Sequence, residues 1–202
     1  MSHVGIDLAG VANRPTGFCI LQGLHAKTEL LHSDEEIVER TQRASPRVVA
    51  VDAPLALPGG RHCLEEHCRG RPHFRKCDLE LRTLGIRFFP ITLGPMRLLT
   101  KRGMNLKTKL DVAGLTVVET YPGGAQDLLG IKRRGDLEGL RSGLRGLDIG
   151  GDIDKLEITD HELDAVTCAL VAKLYEEGKT MSLGDPREIL MILPKPFAGI
   201  LK

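Results

Sequence analysis

A single carboxylate breaks each of three short apolar runs in this chain, Asp7 in the middle of the first and Asp52 and Glu119 at the ends of the other two. Val4-Gly5-Ile6 runs into Asp7, Val48-Val49-Ala50-Val51 into Asp52, and Leu115-Thr116-Val117-Val118 into Glu119. Short apolar runs of this kind read as strands buried in a sheet. A carboxylate at the end of such a strand is costly unless a partner offsets its charge. In open α/β sheets, ligand sites gather outside the carboxyl ends of the strands. A fourth acid, Asp164, stands in the helical stretch Glu162-Leu163-Asp164-Ala165. We read Asp7, Asp52, Glu119 and Asp164 as one site. The bland alternative is that each acid caps a backbone end or pairs with an Arg, and the sequence leaves that open.

The order of elements around these runs is that of an α/β protein. His3 to Gly10, Phe18 to Leu21 and Ala26 to Leu31 read as an antiparallel meander, joined by the turns Asn13-Arg14-Pro15-Thr16-Gly17 and Gln22-Gly23. In the first strand Val4, Ile6 and Leu8 share one face while Gly5 and Asp7 share the other. Ser33 and Glu36 form a capping box that starts a helix ending before Pro46. Arg47 to Asp52 is apolar on both faces, as a parallel strand covered on two sides would be. Leu115 to Glu119 is the fifth strand. Thr159 and Glu162 make a second capping box, opening a helix that runs to Glu177 and stops at Gly178. Residues 131–151 read as loops and short helical turns, and Ile189 to Leu193 as a last short strand.

At 202 residues the chain suits one domain, 1–202, with an insertion at approximately 59–112. The net charge of +1 conceals an asymmetry: from Arg61 to Lys109 the balance is +8. That stretch is too long for a plain connection, and we expect it to hold two or three helices, around Cys77–Leu84 and Leu106–Ala113. A basic segment beside a carboxylate site suits an anionic polymer held by its phosphates. Arg14, Arg75, Arg97, Lys101 and Arg102 are the candidate contacts to nucleic acid. Aromatic residues make up only 3% and Trp is absent, which argues against a surface built on stacked bases. No apolar run approaches the ~20 residues of a membrane span, so no membrane partner is expected. Five cysteines, an odd number, and no visible secretory signal point to reduced thiols and a cytoplasmic location. His62, Cys63, His67, Cys68, His73 and Cys77 could offer zinc ligands. They lack a CxxC pair, so a structural zinc on Cys63, Cys68 and Cys77 ranks below idle thiols.

Four converging carboxylates repel. They must take up protons or bind a cation, and an all-oxygen donor set favours Mg²⁺ or Mn²⁺ over zinc. Two such ions can activate a water and stabilise the leaving oxygen of a phosphodiester.

His3 to Gly17 (VGIDLAG…RPTG), VDAPLALP at 51–58, Cys77-Asp78 with Leu84-Gly85-Ile86, ETYPGG at 119–124 and ELDAVTCA at 162–169 together resemble a widespread domain family of unknown function. Its members are regarded as predicted nucleases with a ribonuclease H-like fold. The opening strand and its RPTG turn are also similar to the crossover-junction resolvase branch of that fold. The resemblance implies a five-stranded mixed sheet, three antiparallel strands then two parallel, with helices on both faces and the basic helical insertion after the fourth strand. It implies metal ligands at Asp7, Asp52 and Asp164, with Glu119 added from the fifth strand. It makes a homodimer plausible.

The reading that follows is a metal-dependent nuclease of DNA or RNA. One alternative is a nucleic-acid or metabolite binding module that keeps the site without turnover. Another is a nucleotide-binding phosphotransfer protein on the same fold, ranked lower because such proteins need a second domain.

Overall fold

The computed structural model describes residues 1–68, 70, 72–132 and 135–196. Strands β1 (Ser2–Asp7), β2 (Thr16–Gln22) and β3 (His25–Leu31) form the antiparallel meander. Helix α1 (Asp34–Ala44) carries the capping box of Ser33 and Glu36. Then come β4 (Val49–Asp52), α2 (Lys76–Thr83), α3 (Gly94–Val112), β5 (Val117–Thr120), α4 (Pro122–Leu128) and α5 (Leu137–Arg145). The chain closes with β6 (Gly150–Gly151), α6 (Asp160–Glu176), β7 (Thr180–Leu183) and β8 (Met191–Pro194).

One sheet of eight strands takes the order β6-β3-β2-β1-β4-β5-β8-β7. The expected five strands are its centre, with β4 parallel to β1 and β5 parallel to β4. The sheet is wider than expected at both edges. Two-residue β6 pairs with β3 on one side. On the other, β8 runs parallel to β5 and β7 returns antiparallel to β8. Short, half-exposed β7 and a pair of glycines at β6 carry almost none of the apolar signal that marks a central strand. Two helices also differ from expectation. Helix α3 begins at Gly94 rather than near Leu106, with Pro95 in its first turn, where proline is tolerated. Residues 137–145 form α5 rather than loops, capped by the Asp136 side chain on the Gly139 amide.

Side-chain alternation sorts the sheet into two faces. Ala50 and Val118 pack with Cys168, Val171 and Ala172 of α6. Val4, Ile6, Val49 and Val51 pack on the other side with Ile37 of α1 and Leu106 and Leu110 of α3. Gly5 and Gly17 set how closely α6 lies on the first face. A Cβ on Gly5 would meet the Ala165 carbonyl oxygen at 2.0 Å, and one on Gly17 the His161 carbonyl oxygen at 2.0 Å. No side chain fits there, so the first two turns of α6 rest directly on β1 and β2. None of the described helices is long and apolar enough to cross a membrane.

Candidate metal centre

Register brings the first two acids together. Asp7 and Asp52 are paired residues on parallel neighbours β1 and β4. Their side chains leave the sheet on the α6 face, the same face as Gly5 and Ala50. The third acid comes from above. With α6 seated on Gly5 and Gly17, Asp164 and His161 hang over the ends of β1 and β4. His161 Nδ1 lies 2.6 Å from Asp7 Oδ2, and Gln126 Nε2 donates to Asp164 Oδ1 at 2.6 Å. Gln126 also donates to Thr167 Oγ1 at 3.0 Å, which fixes its amide beside the acid.

The electrostatics follow from this crowding. Burial, then the charges of Asp7 and Asp164, push the Asp52 carboxyl well above the usual carboxylate range. Two carboxylates on strands about 4.8 Å apart repel by about 3 kcal/mol at an effective dielectric of 20. A proton on Asp52 would relieve that. The hydrogen bond to Asp7 raises His161, although partial burial opposes the charge. Below the acids, the Cys168 thiol is pushed well up by burial and by Asp52, Asp7 and Asp164. It is a packing residue that stays protonated.

Glu119 does not join this group. It stands opposite Val51 in the ladder, one residue out of phase with Asp52, and so projects from the other face of the sheet. There it is buried and ion-paired with Arg75, Nη1 donating to Oε2 at 2.7 Å. Oε2 also accepts from the Leu55 amide at 2.7 Å. Arg75 closes on Asp78 as well, with Nη2 3.1 Å from Oδ1. Burial works against the Arg75 charge, but the Glu119 and Asp78 carboxylates outweigh it and raise its pKa. Four acids were read as one site; the structure gathers three and gives the fourth a buried arginine.

The expected nucleic-acid contacts divide in the same way. Arg75 is 1% exposed and turned inward to Glu119, not to solvent. Arg102 is also tied down: it donates to Asp34 at 2.8 Å and to the Ala9 carbonyl at 2.7 Å, pinning α3 to the exit of β1. Neither is placed to hold a phosphate. Lys101 pairs with Glu65 on the surface, and Arg97 donates toward the Leu64 carbonyl. Arg14 is exposed in the turn between Asp7 and Gly17, at the acid end of the sheet. Arg69 and Arg71, counted in the basic balance, lie outside the described residues.

The cysteines behave differently from the expectation of five reduced thiols. Cys63 and Cys68 form a disulfide, while Cys19, Cys77 and Cys168 are free and buried. Cys63, His67 and Cys68 bring their ligand atoms within 4.8 Å of one another. As a disulfide, neither sulfur is a thiolate that zinc could take. Cys77 is not part of that group; it packs under Gly184 in the core.

His161 and Gln126 were not singled out from the sequence. The signal for His161 was present, since a residue three before Asp164 on one helix shares its face. For Gln126, in the ETYPGGAQ stretch, only the fold supplies the reason.

Asp7, Asp52 and Asp164 offer only oxygen, the donor type that hard divalent cations such as Mg²⁺ or Mn²⁺ take, and a cation beside them would offset the repulsion that raises Asp52.

The comparisons agree with this architecture. The structure resembles Thermus thermophilus RuvC in complex with Holliday junction substrate, at 16% identity and a TM-score of 0.53, over 88% of this chain and 96% of that one. A second Thermus thermophilus RuvC structure aligns at 15% identity and a TM-score of 0.47, covering 88% of this chain and 97% of that one. At this identity the likeness to the first of these speaks for the ribonuclease H-like fold alone. No match emerged among curated proteins. Residues 5–189, nearly the whole chain and both strands that carry the acids, match the family described as Protein of unknown function (DUF429), and the chain belongs to that family.

Proposed function

We propose that this protein is a metal-dependent nuclease that hydrolyses phosphodiesters in DNA or RNA. The observation that carries the proposal is the in-register pair Asp7 and Asp52 under Asp164, three half-buried acids whose repulsion a proton or a cation must offset. Such an arrangement favours apo protonation at low pH and divalent cations at neutral pH. Asp7, Asp52 and Asp164 would hold Mg²⁺ or Mn²⁺, which supplies an activated water and charge compensation at the phosphoryl group. Gln126 fixes the Asp164 carboxylate, and His161 fixes that of Asp7. His161, half exposed at the mouth, is also placed to give a proton to a leaving oxygen. Glu119 is left out of the ligand set and serves the neighbouring wall. The RuvC relative, whose structure holds a Holliday junction substrate, supports a nucleic-acid partner on this fold.

The test is calorimetric titration with Mn²⁺, on the wild type and on Asp7→Asn, followed by cleavage of branched, single-stranded and hybrid substrates. Binding that Asp7→Asn weakens at least tenfold, with Mn²⁺-dependent cleavage, is the expected result. Absence of both binding and cleavage overturns the proposal.

A further inference from the structure

The chain is poor in aromatic residues, five Phe and two Tyr with no Trp. Yet Phe74, Phe88, Phe89 and Tyr121 gather at one place, the wall beside Asp52. Phe74 and Phe88 meet edge to face with centroids 5.8 Å apart, and the Arg82 guanidinium lies 5.0 Å from the Phe74 centroid and 6.0 Å from that of Phe88. Tyr121 is held by its hydroxyl, which donates to the Arg87 carbonyl at 2.9 Å. Phe89 remains 68% exposed.

Two hollows meet at these rings. The inner one is a cavity of about 140 Å³, well below the roughly 300–1,000 Å³ of a drug-sized ligand site. Its sides are apolar: Phe88, Phe89, Ile91, Met96 and Leu99, the last two from α3. Asp52, Arg75, Asp78, Glu119 and Thr120 add polar groups to the lining. The outer hollow is open and shares Phe88, Phe89 and Tyr121 with the inner one. Arg82 and Arg87 stand on its rim, both exposed. Glu119 Oε1 is buried and ion-paired with Arg75 Nη2 at 2.7 Å.

We propose that the inner cavity takes one unpaired nucleobase of the substrate strand, with the adjoining phosphates on Arg82 and Arg87. This rests on the nuclease reading and names its substrate class. The chemistry argues for it piece by piece. Flat apolar walls with an exposed Phe at the entrance stack a base whatever its identity. The Glu119–Arg75 pair in the lining gives the base edge polar neighbours, and each of the four bases carries N–H and acceptor groups there. In a duplex each base is paired and stacked between its neighbours, so only an unpaired base can enter the cavity. Arginines at the rim complement the phosphate charge. Asp52 belongs both to the cavity lining and to the acid cluster, so the cavity adjoins the candidate metal centre. Unpaired nucleotides at branches, flaps and loops are therefore the substrates, and fully paired duplex is excluded.

The test uses a single-stranded oligonucleotide carrying one 2-aminopurine, and the same strand in a perfect duplex, both in EDTA so that no turnover is needed. We expect fluorescence quenching and at least tenfold tighter binding of the single strand. Phe89→Ala, at an exposed position, and Met96→Trp, which fills the cavity, should each weaken single-strand binding about tenfold. Equal affinity for both forms, or wild-type behaviour in Phe89→Ala, overturns the proposal; if Met96→Trp does not fold, Phe89→Ala decides alone. The two readings fail separately. Metal-dependent cleavage without single-strand preference removes the pocket and keeps the nuclease. Quenching without metal binding or cleavage keeps the pocket and removes the nuclease.

Discussion

Asp7 and Asp52 face each other across neighbouring parallel strands, and their carboxyls leave the sheet on the same side at the same level. This pairing strains the apo protein. Burial and the neighbouring acids raise Asp52 well above the usual carboxylate range. A group whose folded pKa is raised contributes stability that is complete below its unfolded pKa, about 3.9, and is lost as pH climbs through the folded value.

Replacing Asp52 with Asn should therefore stabilise the metal-free protein at neutral pH and do little near pH 4. Each kcal/mol gained shifts the Tm by roughly 2–4 °C in a domain of this size. Thermal melts of wild type and Asp52→Asn between pH 4 and pH 8, in EDTA, read this directly. A difference that does not grow with pH would show that Asp52 is not the strained acid. The same variant should lose Mn²⁺ binding, a gain of stability at the expense of the site.

Glu119 has the opposite role. Its charge is already matched by Arg75 within a buried pair. Removing one partner of such a pair typically costs about 3–5 kcal/mol, because the other charge is left buried alone. Arg75→Ala should lower the Tm sharply and reduce Mn²⁺ affinity only through unfolding. Glu119→Gln should change Mn²⁺ affinity by less than about threefold in protein that is still folded. A tenfold loss in folded Glu119→Gln would return Glu119 to the ligand set.

The site was legible where it depends on strand ends, and obscure where it depends on strand phase. Asp7 interrupts one apolar run and Asp52 closes another, and the register makes them neighbours. Glu119 closes a run of the same appearance, but it pairs with Val51 rather than Asp52, and this single step sends it to the other face. Nothing in a lone sequence fixes the register of β4 against β5, which the long basic insertion separates. Arg75 and Arg102 misled for a related reason. A basic residue in a basic segment reads as surface, but each here meets an acid brought from afar, Glu119 and Asp34. The aromatic count misled too, since scarcity along the chain says nothing about clustering in space. The central strands, the two capping boxes and the seat of α6 were readable because their signals are local.

That seat carries its own prediction. Gly5 and Gly17 leave no room for a methyl group between the sheet and α6. Gly5→Ala must push α6 away from β1 or displace the strand, and overpacking of this kind costs about 1–3 kcal/mol or more. Asp164 rides on the displaced helix, so Mn²⁺ affinity should fall in protein that remains folded. Gly23→Ala is the control. Gly23 has open space around it, and its backbone, at φ +62°, is strained by any side chain. It should lose some stability and leave Mn²⁺ affinity intact. Equal loss of affinity in both variants would mean that α6 does not position the site.

His161 reports on the centre without being essential to the fold. Its hydrogen bond to Asp7 raises its pKa above the ordinary histidine value, with partial burial opposing. Its contribution to stability is complete below pH ~6.5, the usual unfolded value, and fades as pH rises through the folded one. An NMR titration of the His161 ring should show a midpoint above that of a free histidine. Asp7→Asn removes the acceptor charge, so the midpoint should return toward the free value. Mg²⁺ should do the same in the wild type, because an ion at Asp7 repels the imidazolium and competes for the same carboxylate. A downward shift on adding Mg²⁺ that is absent in Asp7→Asn would place the ion at Asp7 without any assay of turnover. A His161 midpoint that ignores both Mg²⁺ and the Asp7 substitution would separate the histidine from the acids and remove it from the proposed chemistry.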